Sequence, residues 1–406
     1  MKRKVKNINP FFMLFSLTLI VIVFYNFNLS RFYPALSLSM FIFLGGLLIT
    51  LLIYSLVYSI IFKSKMEIEP IRINKGNLKK SMIFLIVGYI MEFIYSRQIP
   101  LLNTFLDLGT NYKEFGIPTF HVFLVTFNVF ISNFIILTGQ LTQSKNRKRL
   151  FNKSTLLYII SLLPFILIVS RGLLVITITI SFFILLSFIK IDFKKCLWGS
   201  ITIIIAGFLF GLMGNARLNS DYNYETTVMD SKLILMIGGA NGEMWNNDFT
   251  NLYFWTYLYA TSPIANLQNA IDLVKPGDSF GDFFITQLTP DFVSDRLVNL
   301  YNIDPSLANS ALITPELTVG TQYIGSYVYY GWVGVIITAA ILILSLLAVL
   351  ILLRQSNPFM FIIGNAVICT ILILSLFENM FMFAGLFLPL VYCLMFTFVF
   401  KKILLL

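Results

Sequence analysis

Three arginines stand where apolar runs end: Arg97 in Ser96-Arg97-Gln98-Ile99-Pro100, Arg171 in Ser170-Arg171-Gly172, and Arg217 in Gly214-Asn215-Ala216-Arg217-Leu218-Asn219. A guanidinium is a planar fork of donors that matches phosphate oxygens. A charge beside an apolar run is costly, so each is a functional-site hypothesis. Taken singly, each is also explained by a snorkelling side chain or a cation at a helix terminus. Taken together, the three point to an anion-binding vestibule. Glu92 lies inside an apolar run. If ionised it needs a partner, and Arg97 and Arg171 are the candidates. The alternative is a hydrogen-bonded carboxyl that holds helices together. His121 is the single histidine. It is a candidate base, weighed against an interfacial side chain. One histidine cannot build a His-rich metal site.

These residues must be positioned by membrane helices. The 406-residue chain is 58% hydrophobic and 12% charged. That is more apolar than a soluble domain, and it excludes disorder and a disulfide scaffold. The apolar residues fall in runs of the length that spans a bilayer. We read an all-α polytopic bundle of about ten spans, near 10–27, 34–62, 81–96, 118–140, 154–170, 172–189, 197–213, 323–353, 357–377 and 380–400. Spans two and eight are long enough to tilt or to project beyond the bilayer. No small-residue cleavage site follows the basic start, so the first run is expected to remain as a helix. Most of the 29 Lys and Arg residues fall in alternate connections, which places both termini in the cytoplasm of a cell-membrane protein. Nucleic acid is not needed to explain the net charge of +10.

The chain divides into 1–213 with seven spans, a 109-residue outer segment 214–322, and 323–406 with three spans. Connections as long as the middle segment are usually folded or functional. Within it, Ser262-Pro263, Thr289-Pro290-Asp291 and Thr314-Pro315-Glu316 read as helix starts, and Lys275-Pro276-Gly277 as a stop. Asp291 and Asp295 share a face if that stretch is helical. No Asp-x-Asp occurs in the segment, which argues against a metal-dependent transferase. The aromatic run Tyr253-Phe254-Trp255-Thr256-Tyr257-Leu258-Tyr259 can stack on sugars or form an interfacial belt. Contacts to substrate are expected from Arg97, His121, Tyr257 and Arg296.

The layout resembles the Wzy-type oligosaccharide repeat-unit polymerases of O-antigen and capsule synthesis, relatives of the O-antigen ligases. The resemblance rests on the ten spans, on Ile99-Pro100-Leu101-Leu102 with Phe115-Gly116-Ile117-Pro118, and on Ser170-Arg171-Gly172 at a tight hairpin. It rests also on one large late segment ending in Val319-Gly320-Thr321-Gln322-Tyr323, followed by Tyr330-Gly331-Trp332-Val333-Gly334. It implies transfer of an undecaprenyl-diphosphate-linked glycan to another lipid-linked repeat unit outside the membrane, with no cofactor or metal. A chain-length regulator and a flippase are implied as partners. By the same resemblance Arg171 and Arg217 would hold the diphosphate. The ligases carry a histidine near the end of the large segment. Here that region has none, and Glu316 takes its place as the catalytic base. Ligase-like transfer is the alternative, and a flippase or transporter the second.

Overall fold

The computed structural model describes residues 3–62, 65–68, 75–106, 115–142, 153–190, 192–223, 225–229, 232–242, 245, 248–304, 307 and 311–398. Each expected span coincides with a helix. In chain order these are α1 (Pro10–Tyr25), α2 (Leu38–Ile61), α3 (Lys75–Ser96), then a short α4 (Pro100–Phe105), α5 (Phe120–Thr142), α6 (Lys153–Leu167), α7 (Arg171–Leu186) and α8 (Phe193–Asp221). The middle segment adds α9 (Leu233–Ile237), α10 (Asp248–Leu273), α11 (Phe280–Gln287) and α12 (Asp291–Tyr301). The chain closes with α13 (Ile324–Ser356), α14 (Pro358–Leu374) and α15 (Ala384–Phe398). Local chemistry sets several starts. Asn9 caps α1 ahead of Pro10, Ser37 accepts from the Met40 N–H, and Asn357 accepts from the Phe359 and Met360 N–H groups ahead of Pro358. Helices α2, α5, α8 and α13 are long and apolar enough to cross a membrane. The apolar helices α1, α6, α7, α14 and α15 are shorter.

Two apolar cores organise the bundle. The first surrounds α14, whose residues from Phe359 to Leu372 are buried on every side, with α5, α7 and α15 packed around it. The second surrounds α10. Leu252, Phe254, Leu258 and Leu267 of that helix are all but inaccessible and pack with Tyr25, Met40 and Leu44. Pro263, Ile264 and Leu267 line a cavity of about 40 Å³ with Leu14, Thr18 and Leu47. Thr18 is halfway along α1, so the middle of 214–322 is packed into the bundle. Helices α8 and α10 approach closely at Gly211, where any Cβ would overlap the Leu252 carbonyl.

Two expectations are corrected. Ser262-Pro263 does not start a helix, because Pro263 lies inside α10. The packing of Phe254, Trp255 and Leu258 before it and Ile264 and Leu267 after it carries the helix through. Thr314-Pro315-Glu316 is a turn, closed by the Leu317 N–H on the Thr314 carbonyl at 3.2 Å. The long α13 is kinked: Tyr330 and Gly331 break helical geometry inside it, with Gly331 at φ 58°, where glycine carries no side-chain penalty. The fold is all-α apart from one short ribbon. Strands β1 (Arg3–Lys6) and β2 (Lys65–Ile68) form an antiparallel ribbon.

The ribbon follows strand alternation. Val5, Met66 and Ile68 face the bundle, while Lys4, Lys6 and Glu67 face away. The Arg3 guanidinium donates to the Gln140 carbonyl at the end of α5, and the Lys6 N–H donates to Ser187 O at 2.8 Å, just past α7. Arg354 near the end of α13 contacts the Met66 sulfur and lies 5.6 Å over the Phe361 ring. This basic end is opposite the end where α3 finishes and α5, α7 and α15 begin.

Candidate functional site

The site is built at that opposite end, on the last turns of α3, the first turn of α5 and the turn 115–119 between them. Glu92 is fully buried, and its Oε2 lies 2.9 Å from His121 Nδ1. Its partner is therefore neither Arg97 nor Arg171. Arg97 lies one residue past the end of α3 and is exposed, while Glu92 is buried. Glu92 Oε1 is buried and makes no hydrogen bond among the described residues. Gly116 holds the turn with φ 97°. A Cβ there would come within 2.7 Å of the imidazole Cγ and Nδ1. The Gly116 N–H donates to Ser96 Oγ at 2.9 Å, and the Phe115 ring meets the imidazole edge-on at 5.6 Å. One edge of the ring is thus enclosed, yet 26% of the His121 side chain is exposed.

Three arginines lie at this end of the bundle. Arg296 of α12 donates to Thr119 Oγ1 at 2.6 Å, two residues before His121, and Phe292 packs on Phe123 of α5 at 6.0 Å. Arg97 ends α3 in the left-handed region (φ 50°) and is exposed. Arg171 opens α7 and is exposed. The turn before it puts Val169 at φ 55°, a strained setting for a β-branched residue. It is closed by the Ser170 N–H on the Phe165 carbonyl at 2.9 Å. Leu173, one turn into α7, lies against Gly385 of α15. Among the described residues no carboxylate pairs with Arg97, Arg171 or Arg296.

Asp291 fastens α12 to α15. Its Oδ1 accepts from the Phe292 N–H at 2.6 Å and the Ala384 N–H at 3.0 Å, while its own N–H donates to Met382 O. Burial pushes this carboxyl above the usual carboxylate range, against the two backbone hydrogen bonds that lower it. Asp295 and Glu378 nearby raise it further. Thr289-Pro290-Asp291 does start a helix.

The other expected residues lie elsewhere. Arg217 pairs with Asp221 one turn on, at 3.4 Å. Glu316 accepts from the Tyr222 hydroxyl at 2.5 Å, and that bond pushes the phenol up. Both belong to the α8–α10 region, so the three-arginine vestibule splits: Arg97 and Arg171 stay at the His121 end, and Arg217 is neutralised away from them. Tyr257 is buried between Tyr33 and Phe254, each 5.8 Å away, and its hydroxyl accepts from the Leu29 N–H. The aromatic run therefore forms the core of α10, leaving Tyr257 no open face for a sugar. Neither the α10 cavity nor the groove between α2 and α13 is lined by an arginine. No three His, Cys, Asp or Glu side chains group as a metal site among the described residues.

The Glu92–His121 contact escaped sequence reading because its partners are 29 residues apart on two helices. The signal available was that Glu92 needed a partner and His121 was the one imidazole. Comparison of the chain with family models, curated proteins and solved structures returns no match.

Proposed function

We propose that the protein is a metal-independent membrane glycosyltransferase. It moves a glycan from a lipid diphosphate, of the undecaprenyl type, onto the sugar of another lipid-linked repeat unit at the outer face of the cytoplasmic membrane. The observation that supports this is the set of guanidiniums at one end of the bundle. Arg97, Arg171 and Arg296 lack carboxylate partners among the described residues, and Arg296 is held on Thr119, two residues from the sole histidine. Cations at the ends of apolar helices are retained at a cost unless an anion joins them. A diphosphate leaving group gains negative charge as its bond to the sugar breaks. Preorganised guanidiniums stabilise that charge most in a low-dielectric site.

On this reading Arg296 replaces Arg217 beside Arg171 in holding the diphosphate, because Arg217 already has Asp221. The basic ribbon end, with Lys4, Lys6 and Arg354, faces the cytoplasm, and both termini lie there. Membrane lipids surround α2 and α8, and a flippase and a chain-length regulator work alongside. The test is the glycan made by cells carrying Arg171→Ala or Arg296→Ala at unchanged protein abundance. Single repeat units in place of polymer are expected. Polymer of normal length from both variants refutes the proposal. Lipid-linked units held on the cytoplasmic leaflet instead identify a flippase.

A further inference from the structure

We infer that His121 is the general base of the transfer and that Glu92 is its positioning residue, setting which ring nitrogen is bare. The inference rests on the transfer reading above and adds the group that takes the proton. The sequence alone assigns that role to Glu316, which the structure commits to the Tyr222 hydroxyl.

The geometry runs from the inside outward. A carboxylate has only acceptors, so an ionised Glu92 against Nδ1 requires the proton there. The neutral ring carries one proton, so Nε2 is left with its lone pair. Glu92, Gly116 and Phe115 cover the Cγ–Nδ1 edge. Nε2 lies across the ring from that edge, and 26% of the side chain is exposed. No hydrogen bond within the described residues occupies Nε2. Glu92 is fully buried, so water does not compete for Nδ1. The second carboxyl oxygen, Oε1, is unpartnered, so an ionised Glu92 has the imidazole as its one polar contact among the described residues. A ring that gains a second proton at Nε2 compensates that charge as a cation. The pair is thus better matched after proton transfer than before, which is what a general base requires. Arg296, fixed on Thr119 at 2.6 Å, keeps a phosphate-binding group beside the base.

The step balances as follows. The acceptor sugar hydroxyl gives its proton to Nε2 while its oxygen bonds to the anomeric carbon of the donor glycan. The bond from that carbon to the diphosphate oxygen breaks, and its electron pair leaves with the lipid diphosphate. The imidazolium then returns its proton to water or to the departing diphosphate. No oxidant, reductant or metal enters.

The single histidine permits a direct test. Full-length protein in lipid nanodiscs, with ¹⁵N-labelled imidazole, gives one pair of ring-nitrogen resonances, both from His121. A protonated Nδ1 and a bare Nε2 are expected in the wild type, without substrate. Glu92→Ala is expected to shift the population toward the Nε2-protonated form. In cells His121→Ala and His121→Gln are expected to lower polymer formation by about 10²–10⁴-fold, the range of general-base catalysis. Added imidazole should restore part of the activity of His121→Ala in membranes supplied with lipid-linked repeat units. A wild-type spectrum with the proton on Nε2 overturns the assignment whatever the reaction. Full polymer from His121→Gln overturns the base role but leaves the transfer reading standing. Failure of the transfer reading has its own signature, normal polymer from both arginine variants.

Discussion

The two cores treat their charged groups differently. Around α10 three exposed or half-exposed ions have polar partners: Arg217 with Asp221, Glu316 with the Tyr222 hydroxyl, Asp272 with the Gln268 amide. Around the start of α5, Arg97, Arg171 and Arg296 have no carboxylate among the described residues, and Glu92 keeps one buried oxygen bare. Around α10 the buried atoms without partners are neutral, Ser262 Oγ and Gln322 Oε1 among them, whereas at the α5 end the buried unpartnered atom belongs to a carboxyl group. Burying an uncompensated ion is costly. A binding site has reason to leave a charge for a ligand.

The largest effect that can break the comparison is on the glycan product. Arg171→Ala and Arg296→Ala should each cost about 10²–10³-fold in polymer formation, as loss of one preorganised donor does, while Arg217→Ala should stay within a few-fold. Equal losses at all three would erase the distinction, and the measurement is polymer length on gels at matched protein abundance. Next come the two glycines that fix each region. Gly211→Ala forces α8 off the Leu252 carbonyl and should lower stability by about 1–3 kcal/mol, as overpacking does. Gly116→Ala should lower both stability and activity, because φ 97° strains any side chain and its Cβ meets the imidazole, whereas Gly211→Ala should act through stability alone. Thermal melts paired with activity assays decide whether the two substitutions sort this way.

A smaller effect concerns pH. The Asp291 carboxyl is raised in the folded protein, so the stability linked to it is fully present below the usual carboxylate range and is lost as pH rises through the raised value. At neutral pH its charge is therefore a cost, set among Asp295 and Glu378. Asp291→Asn keeps an oxygen for the Phe292 and Ala384 N–H groups, and should give a melting temperature at pH 7 equal to or above wild type. The melting curves of wild type and variant between pH 4 and pH 7 should diverge as pH rises. Convergence instead would mean the carboxylate is not desolvated. The smallest effect is expected at the exposed Tyr222, where Phe should leave both melting and polymer nearly unchanged, in keeping with a weak solvent-exposed contact.

Much of the helix inventory was legible because its signals are local. Apolar runs marked the apolar helices, and Thr289-Pro290-Asp291 marked a start that the backbone honours. What failed was decided at a distance. Pro263 looked like a start because proline favours first turns, yet flanking apolar contacts held the helix through it. Tyr257 looked like a sugar platform because it sits among aromatics, yet those aromatics face one another. Arg97 and Arg171 were natural partners for Glu92 in sequence, but the pairing that forms is between helices. The ribbon of Lys-Val-Lys and Met-Glu-Ile was too short and too basic to register as strand.

That ribbon has a consequence for biogenesis. Its strands are synthesised before their anchors: β1 is held by Gln140 and Ser187, and β2 by Arg354. The ribbon therefore cannot be seated until the later helices have been delivered into the lipid. It closes the assembly like a clasp fastened last, so substitutions at Arg3 or Met66 would disturb final closure more than insertion.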